Sequence, residues 1–172
     1  RDFCNNLPLF LKENTPYQDL PILGEIASFE RALLNVFDAL DMEAIDFKAL
    51  ESISHESWPE LKFIFIKAAC LFKTNYNTLE IWQHLKNKQT PPDVYDSQTK
   101  TWLIWRNEQM ITEFRSLEED ELAFLKNLMN GESLASAADV LTNIREEESA
   151  HYLLQYLRNW FASGIIHKIK TD

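Results

Sequence analysis

Apolar residues along this chain follow two rhythms, one of three to four positions and one of two, and the switches between them outline its elements. Ile22, Ile26, Phe29, Leu33, Phe37 and Leu40 recur at steps of three or four, which is one face of a 3.6-residue helix. Glu25, Glu30, Arg31 and Asp38 occupy its other face. Asp19 is placed to cap this helix, and Pro21 falls in the first turn, where a missing N–H does no harm. Upstream, Phe3, Leu7, Phe10 and Leu11 have helical spacing interrupted by Pro8, which reads as the end of a helix and a turn. A linker with Pro16 follows. Residues 41–57 are more polar and predict short helices, with Ser54 or Ser57 as a cap.

The rhythm shortens after Trp58. Leu61, Phe63 and Phe65 alternate with Lys62, Ile64 and Ile66, a period of two that predicts a strand. Thr78 is a candidate cap for a short helix bearing Leu79, Ile81, Trp82 and Leu85. Residues 86–98, with Pro91-Pro92, read as a loop. Trp102–Trp105 and Met110–Phe114 then predict a hairpin turning at 106–109. Three helices follow. Leu122, Leu125, Leu128 and Met129 line the first, which ends at Gly131. Ser133 caps the second, which buries Leu134, Ala137, Ala138 and Leu141. The third covers about 146–163 and stops at Gly164, and Ile165-Ile166 return as a short strand.

Hairpin, helix, helix–turn–helix and short strand, in that order, make a permuted winged-helix pattern over about 101–167. The expected fold is α+β and mostly helical. A helical N-terminal piece, 1–50, precedes an α/β region, 51–172, that ends in the winged-helix-like module.

Composition narrows the class. The 172 residues suffice for one domain or two small ones. Hydrophobic residues at 45% and aromatics at 12% supply a core and exclude a disordered chain. The formal net charge of −10 disfavours phosphate backbones and anionic membranes. Apolar runs are short and broken by Lys and Glu, so no secretory segment or membrane span is expected, and a soluble cytoplasmic protein is. Cys4 and Cys70 read as reduced thiols. The chain begins at Arg1 rather than Met, and residues before it are expected.

The sequence offers little for catalysis. Only three glycines are present, with no phosphate-cradling loop. No nucleophile elbow occurs, and Cys70 and His84 stand fourteen positions apart with nothing linking them. Glu148 and His151 have the i, i+3 spacing of half a di-iron site, but no second half follows. The expectation is a non-enzyme with no cofactor and no metal.

Between DNA and peptide as partner, charge favours peptide. Residues 116–150 hold nine acids, from Glu118 to Glu148, against Lys126 and Arg145. The helix expected to enter a groove opens with Glu146-Glu147-Glu148, which repels phosphate. An extended peptide can instead add a strand to an exposed hairpin edge, with the 101–115 hairpin and the 146–163 helix forming the groove. Trp102, Trp105 and Met110 are candidate apolar contacts, or else core residues. Arg106 and Arg115 could meet acidic peptide residues or pair with local Glu. Glu147 faces the partner, or only stabilises a helix start.

Several stretches resemble the HvfC-like family, whose members are also labelled as a DNA-binding domain. They are Pro21 through Ile26, Phe29-Glu30-Arg31, Val36-Phe37-Asp38-Ala39, Trp58-Pro59-Glu60-Leu61, Ile81-Trp82 and Leu103-Ile104-Trp105-Arg106. The Leu117–Gly131 helix and the Trp160–Ile165 terminus complete the likeness, which covers nearly the whole chain. A His-Pro pair expected after the first strand is replaced here by Ile66-Lys67-Ala68. The resemblance implies that residues 1–50 are the last part of a helical N-terminal domain. It further implies a non-catalytic accessory protein for a multinuclear non-haem iron oxidative enzyme that modifies cysteines in a ribosomal precursor peptide. A DNA-binding transcriptional regulator is the alternative.

Overall fold

A computed structural model describes residues 5–171. Phe3 and Cys4, which entered the helical and thiol readings, lie outside the described residues. The fold is α+β and mostly helical, and its centre is strand β3 (Asp96–Arg106). This strand lies between β2 (Ala69–Tyr76) and β4 (Thr112–Leu117) in an antiparallel sheet. Successive side chains of a strand point to opposite faces, and here each face meets its own core. Ile104 and Trp102 join Phe72, Phe114 and Phe29 on one side. Leu103 and Trp105 join Leu71, Leu117 and the C-terminal helices on the other.

The first core is covered by α2 (Pro21–Phe37) and α4 (Thr78–Lys86). Phe29 makes edge contacts with Trp82 and Phe114, their ring centroids 5.2 and 5.3 Å away, a favoured aromatic geometry. Ahead of α2, helix α1 (Leu7–Glu13) holds Pro8 at its first turn and buries no residue. Helix α3 (Lys48–Glu51) places Leu50 in the second, larger core. That core is built from α5 (Glu119–Met129), α6 (Leu134–Arg145), α7 (Ser149–Ala162) and a ribbon of β1 (Lys62–Phe65) with β5 (Ile166–Lys170). Phe63 and Ile169 face inward, while Lys62, Lys168 and Lys170 take the alternate positions. The ladder shifts register at Ile64/Phe65, passing over His167.

The hairpin, the three closing helices and the returning strand follow the expected order. Ser133 caps α6 by accepting from the Ser136 N–H, and Gly131 and Gly164 hold φ of +87° and +68° at helix ends. Other expectations are corrected. Leu20 occupies the cap position of α2, because Asp19 closes a 3₁₀ turn, Tyr17–Asp19. Asn77 precedes α4, and the Thr78 hydroxyl is turned away to Glu25. Ser54 precedes a 3₁₀ turn, His55–Glu60, without a side-chain cap, and Ser57 lies inside it. Residues 96–98, read as loop, belong to β3, and Ala69–Tyr76, assigned to no element by the sequence pattern, form β2. Glu146–Glu148 form a 3₁₀ turn, so the last helix starts at Ser149. A boundary at residue 50 separates nothing in the packing: Phe29 and Val36 share one core with Ile104, and Leu50 shares the other with Leu103.

Glu25 ties α2 to the sheet. It is only 7% exposed. Its carboxylate accepts from the Thr78 hydroxyl, from the Asn75 N–H at 2.9 Å and from the Tyr76 N–H at 3.3 Å. Glu25→Ala would leave the buried Thr78 hydroxyl and two part-buried backbone N–H groups without this acceptor, the first an expensive loss. It is expected to lower unfolding free energy by about 2–4 kcal/mol, read from urea denaturation. A loss within error of zero would refute the tie.

Candidate peptide-binding site

The hairpin brings together only part of what its sequence suggested. Trp102 is half-buried on the α2 face, and its Nε1 donates to Thr74 Oγ1 at 3.0 Å. Trp105 lies in the larger core at 6% exposure, so its ring is not a surface contact. Strand β3 is central, and its buried end is covered on both sides. Arg106 is buried too. Its guanidinium donates to the Phe37 carbonyl, to the Ala39 carbonyl at 2.9 Å and to Asp41 Oδ1 at 2.6 Å. The residue that looked free to meet a peptide instead clamps the chain leaving α2.

Met110 remains at the surface, at the hairpin turn, with φ +62°. The turn is tied by Asn107, whose Oδ1 accepts from the N–H groups of Gln109 and Ile111, both at 3.0 Å. Arg106 and Met110 border one cleft of about 370 Å³, shared with Asp41, Met42, Glu43 and Glu108. Arg115 lies far along β4 and pairs with Glu121 through both guanidinium nitrogens. Glu147 is exposed in the 3₁₀ turn before α7.

Sequence reasoning missed the residues that organise the start of α5. Asp120 and Glu121 are the second and third residues of that helix and are both buried. Asp120 Oδ2 accepts from Arg145 Nε at 2.8 Å and from the Tyr156 hydroxyl at 2.7 Å. Glu121 accepts from Arg115 and, at 2.9 Å, from Trp160 Nε1. Two adjacent carboxylates therefore link β4, α5, α6 and α7. In sequence they look like two more surface acids of a helix start. The nine acids counted over 116–150 thus include two that are internal and paired, and Arg145 is engaged as well. Seven acids and Lys126 remain.

Burial pushes the Asp120 carboxyl up, but hydrogen bonds from Arg145, Tyr156 and the Glu121 backbone outweigh it, and the group lies below its ordinary range. Burial and the bond to Asp120 raise the Tyr156 hydroxyl. Burial alone raises the Cys70 thiol, which disfavours thiolate chemistry there. Glu148 and His151 are split between the 3₁₀ turn and α7. Among the described residues, no group of three or more His, Cys, Asp or Glu is arranged to hold a metal ion, and no helix is long and apolar enough to cross a membrane.

No protein-family model matches the chain, and no curated protein matches it.

A lowered carboxyl stabilises the fold fully above the ordinary Asp pKa, and that contribution disappears as pH falls through the folded value. Asp120→Asn is therefore expected to destabilise by about 1–3 kcal/mol at neutral pH. The gap from the parent should narrow as pH drops below about 4. Urea titrations across that range test this, and a gap independent of pH would remove Asp120 from the acid response. Trp105 Nε1 is buried with no hydrogen-bond partner among the described residues, a situation that costs about 1–3 kcal/mol. Trp105→Phe removes that donor at the expense of some volume, so its loss should stay under about 1.5 kcal/mol. A loss of the size seen for a large cavity, about 3–5 kcal/mol, would mean that the indole packing outweighs the orphaned N–H.

Proposed function

We propose that this chain is a non-catalytic accessory protein that holds a precursor peptide, its iron-dependent modifying enzyme, or both. The observation that carries the reading is the position of β4. It is an outer strand of the β2–β3–β4 sheet, so one of its edges has no strand beside it among the described residues. Such an edge offers unpaired N–H and C=O groups to an extended peptide. Glu121 links that strand to α7, since Arg115 and Trp160 both donate to it. The proposed groove lies between that edge and α7, whose Leu154 is exposed. The resemblance to HvfC-like proteins supplies the nature of the partners.

The winged-helix-like reading of 101–167 belongs to the same proposal. It rests on three helices following a hairpin, while the closing strand pairs with β1 rather than with that hairpin. A DNA-binding regulator remains the alternative, and charge weighs against it. Arg106, Arg115 and Arg145 are each paired with a carboxylate of this chain. The 3₁₀ turn before α7 carries three exposed glutamates.

A short Cys-bearing peptide encoded beside the gene is expected to bind and to slow amide exchange along Thr112–Leu117. Generic duplex DNA is expected not to shift in a gel at moderate salt. Tight, salt-sensitive DNA binding with no protection of β4 would reverse the order of the two readings.

A further inference from the structure

The cleft at the hairpin turn plays no part in the groove along β4, and it has a chemical character of its own. Its floor is apolar, from Met42, Ile66, Ala68 and Met110. Its rim is acidic, from Asp41, Glu43 and Glu108. Asp41 is balanced by Arg106, while Glu43 and Glu108 form no salt bridge among the described residues. Asp41–Ala44, which form one wall, hold two acids and no base. Beside the rim, Leu40 is 70% exposed and Ile111 58%, with Met110 at 50%. Large apolar side chains gathered at one surface mark a contact site more often than isolated ones do.

The walls are held in place. Ile45 donates its N–H to the Ile166 carbonyl at 2.9 Å, and His167 Nδ1 lies 2.6 Å from the Glu43 carbonyl. Arg106 fixes the start of the same segment, and Asn107 ties the opposite turn. A held cleft loses little freedom when a partner enters it.

We infer that this cleft receives a basic side chain, arginine or lysine, from an apolar-flanked segment of a protein partner. The methylene stem of such a side chain suits the methionine floor, and its charged head suits the carboxylate rim. The volume of about 370 Å³ leaves room for one such side chain. Flanking apolar residues of the partner cover Leu40 and Ile111. The site is separate from the β4 edge and does not depend on the peptide reading.

The probe is a blocked Leu-Arg-Leu tripeptide, with a citrulline version that keeps the shape and removes the charge. Both are titrated into the full chain and followed by backbone amide chemical shifts. The arginine peptide is expected to give saturable shifts confined to Asp41–Ala44 and Asn107–Ile111. Citrulline is expected to weaken binding about fivefold or more, and Glu43→Gln with Glu108→Gln to do the same, the range for two exposed ion pairs. Both glutamates are exposed, so this variant keeps its fold. Met110→Gly separates packing from binding. Relief of the left-handed φ should raise the melting temperature by about 2 °C or more, yet lost floor contact should weaken the peptide. Equal binding of the citrulline peptide, unchanged affinity in either variant, shifts only along β4, or no saturable shift would each overturn the proposal.

Discussion

Four consecutive residues of β3, Leu103 to Arg106, are buried, and the first three alternate between two cores. A strand covered on both faces must supply apolar residues at every position, unlike one with a wet side. That constraint organises the protein. It places α2 and α4 on one side of the sheet and the C-terminal helices with the β1–β5 ribbon on the other. It also makes the hairpin aromatics structural, so that partner contact falls to the sheet edge and the turn. Arg106 closes the buried run, and its position at the end of β3 lets it collect the carbonyls of Phe37 and Ala39.

Buried charge is the second organising theme, and it joins elements distant in sequence. Glu25 ties α2 to the β2–α4 junction, Arg106 ties the hairpin to the segment after α2, and Asp120 and Glu121 tie α5 to β4, α6 and α7. A buried ion is stable only when its lone pairs or protons are met. Each of these has two or more partners, which fixes orientation as well as position. Arg115 and Arg145 are engaged by this pairing, and over residues 116–150 seven exposed acids and Lys126 remain. A surface of that sign suits basic polypeptide rather than phosphate.

Much of the local structure was legible in the residues. The period of Ile22 to Leu40 marked α2, the aromatic and β-branched runs marked the hairpin, and Ser133, Gly131 and Gly164 marked helix ends. Strand β2 was harder, because its apolar half, Ala69–Phe72, runs without alternation and its other half is polar. Continuous apolar sequence is what burial on both faces requires, and it does not distinguish strand from helix. The candidate site was legible only in part. Met110 at the turn stays exposed, while Trp105 and Arg106 do not, since exposure depends on what packs over a strand and not on the strand itself.

The longer helices, the hairpin and the helix ends at Ser133, Gly131 and Gly164 were determined by sequence alone, because helix and strand periods and capping chemistry act over a few residues. Which acids are internal, which arginines are engaged, and which strands lie at the edges of the sheet were decided only by the tertiary structure. Those properties depend on contacts between segments tens of residues apart, such as Glu25 with Thr78 or Asp120 with Tyr156, and no local pattern encodes such a meeting.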